Sequence, residues 1–129
     1  METTLNNTVS AVGNYNSIPT SITSLASVVT MISGLTITKT ADKEVWADGL
    51  LTYTIVLDNE ATETYTSPVV TDKIDTSLVT FVTGSVTIDG VEATSSEYTY
   101  EESTGTLTVN LTDIAPSSKK TITFQVTKK

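Results

Sequence analysis

The chain has few residues that could carry out chemistry. It contains neither histidine nor cysteine among its 129 residues. Nucleophilic triads and acid–base catalysis at neutral pH usually depend on one of these two side chains. Carboxylates remain, and Asp72 and Asp75 in VTDKID come closest to the paired acids of a glycosidase. Two acids three residues apart at the end of a strand more often form a turn, so we predict no catalytic residue and no enzyme activity.

The acidic stretch LDNEATE is a second candidate for chemistry. Asp58, Glu60 and Glu63 offer oxygen atoms, which calcium binds in a flexible loop. Their spacing matches no calcium-binding loop, and a solvated acidic loop is the expected structure. The absence of cysteine also excludes disulfides and thiolate metal sites. The sequence therefore predicts neither a metal nor another cofactor.

Lys39 is a candidate for a covalent crosslink. Side chains alternate between the two faces of a strand, and this alternation places the aliphatic part of the Lys39 side chain on the inward face of a predicted strand. Some surface β-sandwiches join such a lysine to an asparagine or aspartate through an isopeptide bond. Asn59 and Asn110 could replace the usual asparagine of the last strand, but they lie in the wrong strands. The simpler expectation is a lysine that extends to a carboxylate at the rim, such as Asp72.

Trp46, in KEVWADG, lies in the loop between two predicted strands. An exposed tryptophan is a common anchor of protein interfaces. The alternative is a plug over the open end of the fold. Trp46 is therefore a candidate subunit contact, with the plug as the competing interpretation.

The distribution of charge divides the chain that positions these residues into two regions. Residues 1–34 carry a single charge, Glu2, and are rich in serine, threonine and asparagine. All other charges lie in residues 35–129, and Gly34 marks the change. We predict an N-terminal arm of residues 1–34, either an assembly strand or flexible, followed by a folded domain of residues 35–129.

The arm allows more than one secondary structure. Apolar residues recur at helical spacing, with Pro19 placed for a first turn: Ile18, Ile22, Leu25, Val29 and Ile32. Serine, threonine and valine are mediocre helix formers, however. A strand buried on both faces would explain Val28, Val29, Met31 and Ile32. The sequence alone does not decide whether the arm forms a strand, forms a helix or is disordered.

The folded domain shows the alternation of β-strands. Inward faces are predicted for Leu51, Tyr53, Ile55 and Leu57 in one strand, for Ile122, Phe124 and Val126 in the last, and for Leu35 and Ile37 in the first. Asp89-Gly90 and Gly105 indicate hairpin turns, and Pro68 indicates either an edge strand or a bulge. Short strands at this spacing predict an all-β, antiparallel β-sandwich. Within it, Ile55 and Phe124 are expected at the centre of opposite sheets.

The composition and net charge of the chain limit the kinds of partner that are expected. About one residue in five is threonine, which favours strands. The net charge of −8 repels phosphate, so nucleic acid and anionic lipid are not expected partners. The sequence has no apolar run of membrane-spanning length, so membrane insertion is not expected.

An ordered series of segments runs through residues 35–127: TKTAD, LTYTI, VTDKI, FVTGSVTIDG, TGTLTVNL, IAP and TITFQV. In this order and spacing they resemble the conserved repeat of bacterial and archaeal envelope proteins known as domain of unknown function number eleven. The resemblance implies an immunoglobulin-like sandwich without catalytic residues, usually found in tandem copies. Domains of this family also occur in spore appendages, which form in a mother cell that later lyses.

A single copy with its own arm predicts a structural subunit that assembles with itself. We expect an extracellular fibre, spore appendage or surface layer on the cell or spore, built by N-terminal arm exchange. The predicted subunit contacts are Val28, Val29, Met31, Ile32 and Trp46. The alternative is a monomeric adhesive module that binds a surface glycan or protein. The N-terminus does not resemble a standard secretory signal, so either a signal was removed or cell lysis releases the chain.

Overall fold

The structure, a computed structural model, describes residues 2–8, 10–23 and 27–129, with the backbone alone for residues 2–5, 7, 15, 22–23 and 27–32. The chain divides into two units, residues 1–33 and residues 34–129. The described residues form strands and connecting turns without a helix, which confirms the predicted all-β class.

The first unit is built from four strands: β1 (Glu2–Asn7), β2 (Ser10–Tyr15), β3 (Ile18–Thr23) and β4 (Ser27–Ile32). We call these strands the N-terminal ribbon. β2 pairs with β3 around Asn16 and Ser17, whose φ angles of 49° and 64° suit a two-residue hairpin turn. β1 pairs antiparallel with β4. The helix allowed by the apolar spacing is therefore wrong, because the β-branched side chains favour extended backbone.

The second unit contains nine strands: β5 (Leu35–Ala41), β6 (Leu50–Asn59), β7 (Val69–Lys73), β8 (Val79–Phe81), β9 (Thr87–Ile88), β10 (Val91–Glu92), β11 (Tyr98–Glu101), β12 (Thr106–Asn110) and β13 (Ser118–Lys128). One sheet has the order β10-β9-β13-β6-β5, with β8 also paired to β13. The other has the order β11-β12-β7. The two antiparallel sheets pack together as a β-sandwich, which we call the sandwich.

The core of the sandwich lies where the predicted inward faces meet. Ile122, Phe124 and Val126 of β13 are fully buried, and Leu107 and Val109 of β12 are 1% exposed. Apolar burial of this kind is the main favourable term in folding. The period of two in the sequence therefore identified the core faces of β6 and β13 correctly.

The predicted placement of Ile55 and Phe124 on opposite sheets is wrong. β6 and β13 are neighbours in one sheet, where Ile55 lies opposite Ile122 and Phe124 lies opposite Tyr53. Both side chains are buried, as expected, at 3% and 0% exposure. Alternation defines which face of a strand is apolar, but it does not define which strand is the neighbour.

Both predicted hairpin turns are present. Asp89 and Gly90 have φ angles of 50° and 81° and connect β9 to β10. Gly105 leads into β12, which pairs with β11. A Cβ at Gly105 would lie 2.3 Å from the carbonyl oxygen of Ile74, so this position requires glycine.

Strand β5 forms one edge of the first sheet, and β7 forms one edge of the second. In the described part of the chain, each has one strand partner. The edge position predicted for β7 from Pro68 is therefore confirmed. The predicted burial of Ile37 is wrong: this β5 side chain is 62% exposed. A six-stranded sheet that faces a three-stranded sheet leaves its margin uncovered, and Ile37 lies on that margin.

Candidate interaction surfaces of the sandwich

An ion pair connects the edge strands β5 and β7. Nζ of Lys39 in β5 lies 2.7 Å from Oδ2 of Asp72 in β7. The Asp72 side chain is 8% exposed, and that of Lys39 is 41% exposed. The same ammonium group lies 4.4 Å from the ring centroid of Tyr53 and 5.5 Å from that of Phe124, which adds cation–π attraction. Lys39 thus extends to the rim carboxylate named from the sequence, and the pair ties the two sheets together.

The asparagines considered as crosslinking partners are placed elsewhere. Asn59 is fully buried, and its Nδ2 donates to the carbonyl oxygens of Glu63 and Ile114 at 2.9 and 2.8 Å. In the β5–β6 register Asn59 faces Leu35, whereas Lys39 faces Ile55. Four residues of strand correspond to about 13 Å. Asn59 therefore fixes the loop that follows β6 and does not approach Lys39.

Asn110 also lies away from the ion pair. It faces Val69 at the end of β12, whereas Asp72 faces Leu107 three positions earlier. Its backbone N–H donates to the carbonyl oxygen of Glu97 at 2.7 Å. Neither asparagine is therefore brought to Lys39, and the carboxylate beside this lysine is Asp72.

Intact mass spectrometry should find the mass given by the sequence. An amide between Lys39 and Asp72 would release water and lower the mass by about 18 Da. Amide formation needs a neutral amine and a protonated acid, whereas this pair is held as two ions in a charge-assisted contact. A deficit that persists in Lys43→Arg and disappears in Lys39→Arg would contradict the prediction.

Asp72 and Asp75, the acid pair closest to that of a glycosidase, are engaged in an ion pair and a turn. Oδ1 of Asp75 accepts hydrogen bonds from the backbone N–H and the hydroxyl of Ser77, and these bonds lower the pKa of Asp75. Asp72 is engaged by Lys39. The closest acid pair in the sequence therefore has two separate structural roles. Among the described residues, no group of three or more acidic side chains is arranged to hold a metal ion.

Three other carboxylates stabilise turns in the same way. The backbone N–H of Thr121 donates to Asp89 at 2.9 Å, and Lys120 lies 3.0 Å away, so the pKa of Asp89 is lowered. Hydrogen bonds from Thr94 lower the pKa of Glu97. Hydrogen bonds from Ser103 lower the pKa of Glu101. Lowered pKa values favour the ionised forms, which hold these turns closed.

A groove lies at one end of the sandwich, beside Trp46. It has a volume of about 420 Å³ and is lined by Trp46, Leu51, Tyr53, Ser77, Leu78, Val79, Lys128 and Lys129. Trp46 is half-buried and packs against the core, so its ring covers part of the open end. Its buried Nε1 has no hydrogen-bond partner within the described part of the chain.

Exposed apolar side chains occur around this groove. Leu78, in its lining, is 65% exposed. Val45 and Leu50, in the loop that carries Trp46 and at the start of β6, are 89% and 43% exposed. Leu78 is not among the residues predicted from the sequence, because it belongs to none of the strands with a clear alternation. The Asp75-Thr76-Ser77 turn signature would have placed Leu78 in a turn, where its backbone N–H donates to the carbonyl oxygen of Asp75.

The other predicted subunit contacts lie in β4. Its backbone pairs with β1, so that Val29 faces Leu5 and Met31 faces Thr3. The side chains of Val28, Val29, Met31 and Ile32 lie outside the described part of the structure. Their role in assembly stays a prediction from the sequence.

A scan against protein-family models found no matching family, and searches of curated proteins and of solved structures found no match. The resemblance to the envelope repeat thus stays a prediction. Within the described residues, no helix is long and apolar enough to cross a membrane. Function must therefore be inferred from the edges, the groove and the ribbon of this chain.

Proposed function

We propose that this protein is a structural subunit that assembles with itself into an extracellular fibre, spore appendage or surface layer through its N-terminal ribbon. The observation that carries this proposal is that the described residues of the ribbon have unpaired strand edges and exposed side chains. Each of its strands has a single partner in the described part of the chain, and every side chain described in it is exposed, including Val12 at 84% and Ile18 at 61%. The ribbon consists of two two-stranded sheets, and a sheet of only two strands is marginally stable in water and gains stability from a third strand or an apolar surface.

The sandwich offers such a partner strand. β5 has seven residues, has no strand on its outer side among the described residues, and contains neither proline nor glycine. An edge of this kind invites pairing with another strand. A ribbon strand added to β5 of a second copy would satisfy unpaired backbone groups on both chains. Arm exchange between copies is therefore supported by free strand edges on both units.

The charge distribution favours a contact between ribbon and sandwich over one between two sandwiches. Glu2 is the only charged residue of the ribbon, while fourteen acidic residues and all seven lysines lie in residues 34–129. Two sandwiches of net negative charge repel each other at low salt. A nearly uncharged ribbon brings almost no such repulsion to the contact.

A second candidate function is that of a monomeric adhesive module. The groove beside Trp46 favours it, because a tryptophan next to an apolar cleft is a suitable anchor for a glycan or a protein partner. The extracellular location in both proposals depends on the resemblance to envelope proteins.

Electron microscopy of the purified full-length protein distinguishes the two functions. The structural-subunit proposal expects filaments or ordered sheets that become longer or more numerous as protein concentration rises. Light scattering coupled to size-exclusion chromatography should show the matching loss of monomer. A protein that stays monomeric at millimolar concentration would contradict assembly and favour the adhesive module.

A further inference from the structure

The sandwich has two different ends. β6 runs from Leu50 at one end to Asn59 at the other, a length of about 30 Å for its ten residues. The chain enters at the Asn59 end, where the carbonyl oxygen of Gly34 accepts a hydrogen bond of 2.7 Å from the backbone N–H of Glu60. The groove lies at the Leu50 end, because Leu51 and Tyr53 line it. The point where the ribbon joins the sandwich and the groove are therefore at opposite ends of the sandwich.

The groove also adjoins the free edge of β5. Ala41, the last residue of β5, faces Tyr53, which lines the groove, and Trp46 follows in the next loop. A strand that pairs along β5 toward Ala41 would therefore lead into the groove. This continuity indicates that the natural occupant is a β-strand or a hairpin.

The groove is chemically suited to an uncharged apolar segment. Its lining includes four apolar or aromatic side chains beside Tyr53 and contains no acidic side chain: Trp46, Leu51, Leu78 and Val79. The two lysines at its margin present aliphatic stems, and Lys129 Nζ donates to the carbonyl oxygen of Thr76 at 2.6 Å. The hairpin turn of the ribbon offers Ile18, which is 61% exposed.

We propose that the groove beside Trp46 receives the β2–β3 hairpin of the N-terminal ribbon from the next copy of the chain, with Ile18 seated against Leu78. This inference rests on the proposed self-assembly and names its acceptor surface. Because the ribbon joins the sandwich at the Asn59 end and the groove lies at the Leu50 end, each copy can donate to one neighbour and accept from another. A head-to-tail contact whose rotation does not close produces an open fibre.

A disulfide-trapping experiment tests the contact directly, since the chain has no natural cysteine. Full-length Thr20→Cys, on the same ribbon face as Ile18, is mixed with Ser77→Cys at the groove and oxidised. The matched control replaces Ser77→Cys with Ser118→Cys, an exposed serine at the Asn59 end. A docked ribbon holds its thiol at an effective concentration of about 1 mM, so with protein at about 10 μM the groove pair should crosslink roughly a hundredfold faster than the control pair.

The masses of the crosslinked species identify the outcome. Equal crosslinking of the two serine positions would overturn the proposal. So would an intrachain disulfide in a monomeric Thr20→Cys/Ser77→Cys double variant, because the ribbon would then occupy its own groove. A disulfide between different copies, confined to the groove position, supports it.

Substitution of the groove separates this inference from the assembly proposal. Leu78→Asp should abolish filaments, whereas Val91→Asp, at a side chain of similar exposure on β10, should leave them intact. Circular dichroism should give both variants the unfolding midpoint of the natural sequence. Filaments that persist in Leu78→Asp overturn the groove contact and leave self-assembly standing. If the natural sequence itself forms no filaments, the assembly proposal fails.

Discussion

Deletion of residues 1–33 should yield a soluble, folded monomer that no longer assembles. Among the side chains that the structure describes, every buried apolar residue lies between Leu51 and Val126, so the sandwich keeps this core without the ribbon. Assembly should be lost completely, because the donor of the proposed contact is removed. Size-exclusion chromatography with light scattering and electron microscopy measure the loss, and thermal unfolding measures whether the sandwich remains folded.

A matched pair of full-length variants controls for the size of the deletion. Val29→Lys introduces a charge at a predicted subunit contact, where desolvation of the lysine should weaken assembly. Thr8→Lys adds the same charge at an exposed position of the first unit and should leave assembly unchanged. Filaments of natural form from the truncated chain would make the ribbon dispensable and favour the adhesive module.

Phe124→Ala should cause the largest loss of stability among single substitutions in the sandwich. Phe124 is fully buried, and its ring centroid lies 5.3 Å from that of Tyr53 and 6.3 Å from that of Phe81. Removal of a buried phenylalanine ring costs about 3–5 kcal/mol, because apolar burial is lost and a cavity remains. Urea unfolding of residues 34–129, followed by tryptophan fluorescence, gives the change in free energy of unfolding.

The control for this prediction is Val91→Ala. Val91 is 70% exposed in β10, so its truncation should change the free energy of unfolding by no more than about 0.5 kcal/mol. A change below about 1 kcal/mol for Phe124→Ala would show that this ring does not occupy the centre of the core.

Only part of the candidate interaction surfaces could be predicted from the sequence. Lys39 and Asp72 could be matched because strand alternation places Lys39 on the inward face and Asp72 offers an opposite charge at the rim. Trp46 could be singled out as the only tryptophan. The groove could not be predicted, since Leu51, Leu78 and Lys128 come from three distant segments that meet only in the folded sheets. Contacts between distant segments leave no periodic signal along the chain.

The sequence by itself determined the class of fold, the inward faces of the long strands and the change of character at Gly34. Side chains alternate across a strand, so the apolar positions of β6 and β13 define a face without knowledge of the neighbours. Only the tertiary structure decided that β6 and β13 share a sheet, that Ile37 is exposed and that a groove opens beside Trp46. Strand order and the unequal widths of the two sheets decide these features, because they determine which apolar faces are covered and which remain open for another chain.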